Sequence, residues 1–227
     1  MIKKIFFICV VIGCFSCKRN NDSVPTLTGI EYFPTDIGRY WIYNVHEIKY
    51  NSLITDTTYN RKDVIHEVYI NNNTLIYELY RFYKPTTTVD WPLQPDSVWA
   101  FTTNQNQITI KENNIDYIRL VFPLSTGKIW DGNTKNISGP DLYEATNFQQ
   151  PYMVGSTNYS ETVNVNEEHT LNFVSKDYRN RVYAKNVGMV YKKYEQVQYN
   201  SDPANIGLQI IEFGKIVEET LIDYGTP

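Results

Sequence analysis

The chain has 227 residues, 42% hydrophobic and 15% aromatic, and its 21 Lys and Arg stand against 25 Asp and Glu for a formal net charge of −4. It has no concentrated basic face and no glycine-rich phosphate loop, which excludes nucleic acid and nucleotide as partners. All three cysteines (Cys9, Cys14 and Cys17) precede residue 18, so the rest of the chain has neither a disulfide nor a thiol for catalysis, zinc or iron–sulfur chemistry.

Lys3 and Lys4 precede the apolar run 5–12, which is followed by Gly13-Cys14-Phe15-Ser16-Cys17. Charge, a short apolar run and small residues, in that order, make a secretory signal. The run is shorter than the about 20 residues of a membrane span, and it lacks the polar face of a buried core helix. Ser16 stands directly before Cys17 and charge resumes at Lys18-Arg19, an arrangement that resembles the lipobox of bacterial lipoproteins. That resemblance implies a signal peptide over 1–16, cleavage before Cys17, acylation of that cysteine with fatty acids such as palmitate, and attachment to a membrane of the cell envelope, the outer membrane above others. Val11-Ile12-Gly13-Cys14 is a second lipobox-like stretch, which would move the lipid to Cys14. Loss of the leader takes Lys3 and Lys4 with it and moves the formal net charge from −4 to −6.

Residues 17–30 are polar, contain Pro25 and lack periodicity, which predicts a lipidated flexible tether, with a single β-rich domain over 31–227. From Tyr32-Phe33-Pro34 onward, short runs of β-branched and aromatic residues alternate with Asn, Asp, Gly and Pro. Trp41, Tyr43 and Val45 share one face. Ile48 and Tyr50 fall on the other parity, which predicts a bulge near His46-Glu47. Val64, His66, Val68 and Ile70 form a hairpin with 75–83 through Asn71-Asn72-Asn73. Runs 97–103, 107–112 and 115–122, separated by Asn-rich turns, extend it into a meander, because Asn tolerates the left-handed conformation of tight turns. Residues 141–146 after Pro140 are expected to form one or two helical turns. Strands follow at 161–165, 170–174 and along 181–199, the last interrupted at Asn186-Val187-Gly188, where Gly188 would permit a bulge or close approach as the strand bends. A closing hairpin is expected at 207–213 and 216–222, around Gly214-Lys215. The expectation is an all-β domain, an antiparallel meander of about ten strands forming a barrel, half-barrel or sandwich with little helix.

Two stretches, Tyr32-Phe33-Pro34-Thr35-Asp36-Ile37-Gly38-Arg39-Tyr40-Trp41-Ile42-Tyr43 and Val182-Tyr183-Ala184-Lys185-Asn186-Val187-Gly188-Met189-Val190-Tyr191, are similar to segments of envelope lipoproteins of the Bacteroidota. The resemblance implies a single β-rich lipoprotein domain and brings no catalytic residues.

No catalytic constellation appears. His46, His66 and His169 stand singly with no ligand spacing, so neither a metal nor another cofactor is expected. Gly-x-Ser-x-Gly is absent. Glu167-Glu168 and Glu218-Glu219 are neighbours on strands, so each pair faces opposite sides and cannot act together as acid and base. Among 19 Tyr and four Trp, Trp91 and Trp130 read as loop residues, where an indole is a candidate platform for a glycan ring or another flat ligand. The leading expectation is a lipid-anchored, non-catalytic binding or scaffolding module with a glycan or an envelope protein as partner. A glycan hydrolase with dispersed carboxylates, about 5–9.5 Å apart in an aromatic cleft, and a carrier of apolar molecules with an open apolar cavity are the alternatives.

Overall fold

The computed structural model describes residues 28–104 and 106–227, so the signal peptide, Cys14, Cys17 and the tether as far as residue 27 lie outside the described residues. Apart from a single 3-10 turn, Ile30–Tyr32, every element is a strand: β1 Tyr40–Tyr50, β2 Thr55–Asn71, β3 Thr74–Pro85, β4 Ser97–Thr103, β5 Gln107–Glu112, β6 Ile115–Val121, β7 Lys128–Asp131, β8 Leu142–Val154, β9 Thr157–Leu171, β10 Ser175–Ala184, β11 Gly188–Tyr199 and β12 Ile211–Gly225. No helix among the described residues is long and apolar enough to cross a membrane.

All 12 strands lie in one antiparallel sheet, in the order β6-β5-β4-β3-β2-β1-β12-β11-β10-β9-β8-β7. The chain therefore starts mid-sheet, runs out to β6, crosses to the far edge at β7 and returns to pair β12 with β1. The sheet curls until those two edges meet, giving a nearly closed barrel. Across the seam the Ile118 amide donates to the Gly132 carbonyl at 2.9 Å, and the Trp130 indole donates to the Ile118 carbonyl at 2.9 Å. An edge strand left open exposes unpaired backbone groups, and these bonds engage the amide and carbonyl of Ile118 on one such edge.

Hairpin alternation sends the loops to two ends. One end carries residues 28–39, the Asn72-Asn73 turn, 122–127, 185–187 and the C-terminus. Residues 28–30, which the sequence reading placed in the tether, are held there: the Leu124 amide donates to the Thr28 carbonyl. Tyr32, fully buried, plugs this end against Phe148, and Phe33 packs edge-on against Phe101. The other end carries 51–54, 86–96, 113–114, 132–141, 172–174 and 200–210.

The meander expected over 64–122 is present. Asn72 and Asn73, like Asn113 and Asn114, have positive φ at both central positions of their turns, which matches the twist of the strands they join. Trp41, Tyr43 and Val45 are buried on one face as expected.

Several local expectations are corrected. Residues 141–146 belong to β8, because alternate side chains Tyr143 and Ala145 are buried against the core. No bulge lies at His46-Glu47, where β1 pairs continuously with β2; the register shift falls instead opposite Ile42/Tyr43, in β12. The segment 181–199 is interrupted where expected, but by a full reversal rather than a bend: β10 turns at 185–187 into β11, and the two form a hairpin. Gly188 still provides a close approach, since a Cβ there would sit 2.8 Å from the Trp41 indole nitrogen. Residues 172–174 form a turn. Gly214-Lys215 is no hairpin either: β12 runs through it, pairing with β1 on one side and β11 on the other. Gly214 has φ +118, and a Cβ would lie 2.1 Å from the Gln196 carbonyl oxygen. Its role is close backbone approach inside the sheet.

Candidate functional site

The barrel interior is charged. On β2, Arg61, Asp63 and Ile65 point inward by alternation, and the Asp63 carboxylate receives a two-point contact from Arg81 on β3, at 2.8 and 2.9 Å. Arg61 reaches Asp63 at 3.2 Å and Glu219 at 2.8 Å. Glu219 on β12 also takes Lys192 of β11 at 2.9 Å. The guanidinium of Arg81 lies 3.4 Å from the Trp99 ring centre and that of Arg61 lies 4.6 Å from Tyr43. Stacking of this kind holds a planar cation in one orientation.

A second network adjoins the first. Glu112 takes Arg119 at 2.8 Å and Arg181 at 3.2 Å through the same oxygen. Glu167 takes Arg119 at 3.2 Å and Arg181 at 3.0 Å. The Tyr194 hydroxyl accepts from Arg181 and donates to Glu167. Two irregularities build this network. Arg119 is skipped where β5 pairs with β6, and Glu167 is skipped where β9 pairs with β10. The extra residue of a bulge re-aims its side chain, and both of these point inward.

Electrostatics keep Glu112 and Glu219 ionised. Burial by itself would raise the carboxyl groups of Glu112 and Glu219. The guanidiniums of Arg119 and Arg181 outweigh it at Glu112, and Arg61 with Lys192 does so at Glu219, so both lie below the usual carboxylate range. Burial also lowers Lys192 and raises Tyr43 and Tyr194 well above the usual phenol value. Between Trp41, Tyr43, Trp99 and the charged groups lies a cavity of about 70 Å³.

The exterior shows a different feature. Around the loop end distant from residue 28, three neighbouring connections carry exposed apolar side chains: Leu53 and Ile54 between β1 and β2, Phe173 and Val174 with Leu171 between β9 and β10, and Ile206, Leu208 and Ile210 with Phe213 between β11 and β12. Each is at least 47% exposed. Gly207 approaches Phe173, which joins two of these loops into one rim.

The two tryptophans singled out from the sequence part company. Trp91 lies in the β3–β4 loop, on the barrel's outer side, with the ammonium groups of Lys62 and Lys84 at 5.1 and 4.8 Å from its ring; it lines a shallow groove with Tyr40, Ile42 and Asp223. Trp130 is not in a loop: it belongs to β7 and is buried at the seam. Glu167 and Glu219 are buried while Glu168 and Glu218 face outward, the opposite-face placement their adjacency predicts. His46 bonds Asp56 at 2.7 Å and His66 stacks on Tyr80. Among the described residues no group of three or more His, Asp or Glu is placed to hold a metal ion.

Apart from Glu167 and Glu219, the interior charges were not singled out from the sequence. A charged pair at i and i+2 in register with a buried residue, as in Arg61-Asp63-Ile65, is the signal that could have found them; parity alone does not say which face is inside.

No protein-family model matches the chain, and no curated protein does. Among solved structures, it is similar to a Bacteroides fragilis protein provisionally named an exported protein with a YmcC-like fold, at 10% identity and TM-score 0.45, over 86% of this chain and 98% of that one. It is likewise similar to a Parabacteroides distasonis protein provisionally named a lipoprotein, at 9% identity and TM-score 0.46, again over 86% and 98%.

Proposed function

We propose that this chain is a lipid-anchored barrel of the bacterial cell envelope, tied to the outer membrane through acylated Cys17, that works as a non-catalytic binding module and engages an envelope protein through its apolar rim. The observation that carries the reading is the position of that rim. Residue 28, where the tether joins the fold, lies at one end of the barrel, and the exposed Phe173, Leu208 and Phe213 lie at the other. Clustered apolar surface of this kind marks interaction sites, and this cluster lies at the end of the barrel opposite residue 28.

The interior speaks against the other two readings. A glycosidase needs one carboxyl held protonated at neutral pH, whereas Glu112 and Glu219 are held ionised by their arginine and lysine neighbours. A carrier needs a roomy apolar cavity, whereas this one measures about 70 Å³ and sets Arg61, Arg81, Lys192, Asp63 and Glu219 among its aromatic and aliphatic walls; ligand pockets start at about 300 Å³.

The test is site-specific photo-cross-linking of the full-length protein in intact cells. A photoreactive residue at position 173 or 208 is expected to give one discrete protein adduct, abolished by Phe213→Ser, while the same residue at position 129, on the barrel wall, gives none. Adducts to lipid alone, or equal adducts from all three positions, would overturn the rim assignment. Turnover of any member of a glycan, ester or peptide panel by the purified protein would overturn the non-catalytic part.

A further inference from the structure

The first ionic network does not balance. It holds three cations, Arg61, Arg81 and Lys192, against two anions, Asp63 and Glu219. The adjoining network is neutral, with Arg119 and Arg181 against Glu112 and Glu167. An uncompensated charge is unfavourable where little water reaches it, and the Lys192 side chain is only 17% exposed. The excess sits beside empty space: all five members of the first network line the cavity. Arg61 Nε, on a side chain only 6% exposed, is buried without a hydrogen-bond partner, as is Glu219 Oε2.

We propose that this cavity is a binding site for one small monoanion, a carboxylate of the size of formate or acetate, held by Arg61, Arg81 and Lys192. A cavity of about 70 Å³ accommodates several water-sized groups, since one water needs roughly 10–15 Å³ by the same measure. A short carboxylate fits and a sugar ring does not. Its single charge matches the single excess, and its two oxygens accept the donors that Asp63 and Glu219 leave over. The walls also carry Glu112, Asp63 and Glu219, which repel a dianion and limit the ligand to one charge. The stacking of Arg81 on Trp99 and Arg61 on Tyr43 fixes the donors before the anion arrives, which lowers the ordering cost of binding. Bound carboxylate would also hold the proton on Lys192, which burial otherwise tends to remove.

The experiment uses the purified full-length protein titrated with sodium formate and with sodium acetate at constant ionic strength, followed by calorimetry and by the nitrogen resonance of the Lys192 side chain. The expected result is saturable one-to-one binding, a thermal midpoint that climbs with the logarithm of formate concentration, and a Lys192 ammonium that is charged at pH 7 and shifts on binding. Lys192→Met is expected to weaken formate by roughly thirtyfold, with Lys192→Arg retaining it. If Lys192→Met fails to fold, the wild-type titration and the Lys192 resonance still decide. No saturable binding would overturn the proposal. So would a Lys192 that is neutral at pH 7 without ligand, because the network then balances by losing a proton. The site does not rest on the rim, so Phe213→Ser is expected to bind formate as wild type does.

Discussion

Arg119 and Glu167 meet at 3.2 Å inside the barrel, and each is the extra residue of a β-bulge, on β6 and β9 respectively. The two irregularities are complementary: one turns in a cation, the other the anion that receives it. Their strands lie far apart in the sheet order and are brought together only by its closure. A buried ion pair is weak evidence of net stabilisation, yet breaking one strands the survivor. Glu167→Gln therefore should destabilise the protein by about 3–5 kcal/mol, and adding Arg119→Met should recover part of that loss. Urea denaturation of the two single variants and the double variant measures the coupling; additive losses would show that the two bulges are independent.

Stability should depend on pH on the acid side. Glu112 and Glu219 have folded-state pKa values below the reference 4.5. The unfolded chain therefore binds more protons than the folded one as pH falls below about 4.5, and folding weakens with each. The contribution is fully present above that pH and disappears as pH drops through the lowered folded-state values. Thermal midpoints should be flat near neutrality and fall below pH 4.5, and Glu112→Gln should make that fall shallower. A midpoint insensitive to acid would contradict the ionised interior.

At the seam, Trp130→Phe keeps the ring but removes the donor to the Ile118 carbonyl. Loss of one buried hydrogen bond should cost ~1–3 kcal/mol, and hydrogen exchange should speed up along β6 and β7 before the rest of the sheet. Trp91→Ala, on the outer groove, should change stability by no more than about 0.5–1 kcal/mol.

The continuous course of β12 makes its own prediction. Lys215 and Ile216 sit between β1 and β11, so their amides should exchange as slowly as the centre of a sheet, whereas a hairpin turn would exchange fast. Gly214→Ala places a methyl group 2.1 Å from the Gln196 carbonyl oxygen at φ +118, and should cost about 1–3 kcal/mol or more. Equilibrium unfolding of this variant reads the cost directly.

The order of charge, apolar run and small residues before Cys17 is legible because such a pattern is linear: it is read along the chain and needs no fold. So are the strand class, the Asn turns and the inward set Trp41, Tyr43 and Val45, since alternation and left-handed turn residues act within a few residues. Gly214-Lys215 was misread for the same reason. A glycine with positive φ serves a tight turn and a close backbone contact equally well, and the contact here, with Gln196, comes from a neighbouring strand. Trp130 was misread because Asp131-Gly132-Asn133 after it is a true turn, held by the Asn133 amide donating to Asp131, and the short β7 before it has little alternation to show.

The sequence by itself determined the all-β class and the pairing of adjacent strands, both consequences of short-range patterning. Only the tertiary structure decided that the sheet closes at Trp130 and Ile118, that bulges bring Arg119 to Glu167, and that Arg61, Arg81 and Lys192 outnumber Asp63 and Glu219 around one cavity. Those contacts join residues tens of positions apart, and they exist because a sheet that buries one face must curl, which fixes which charges end up inside together.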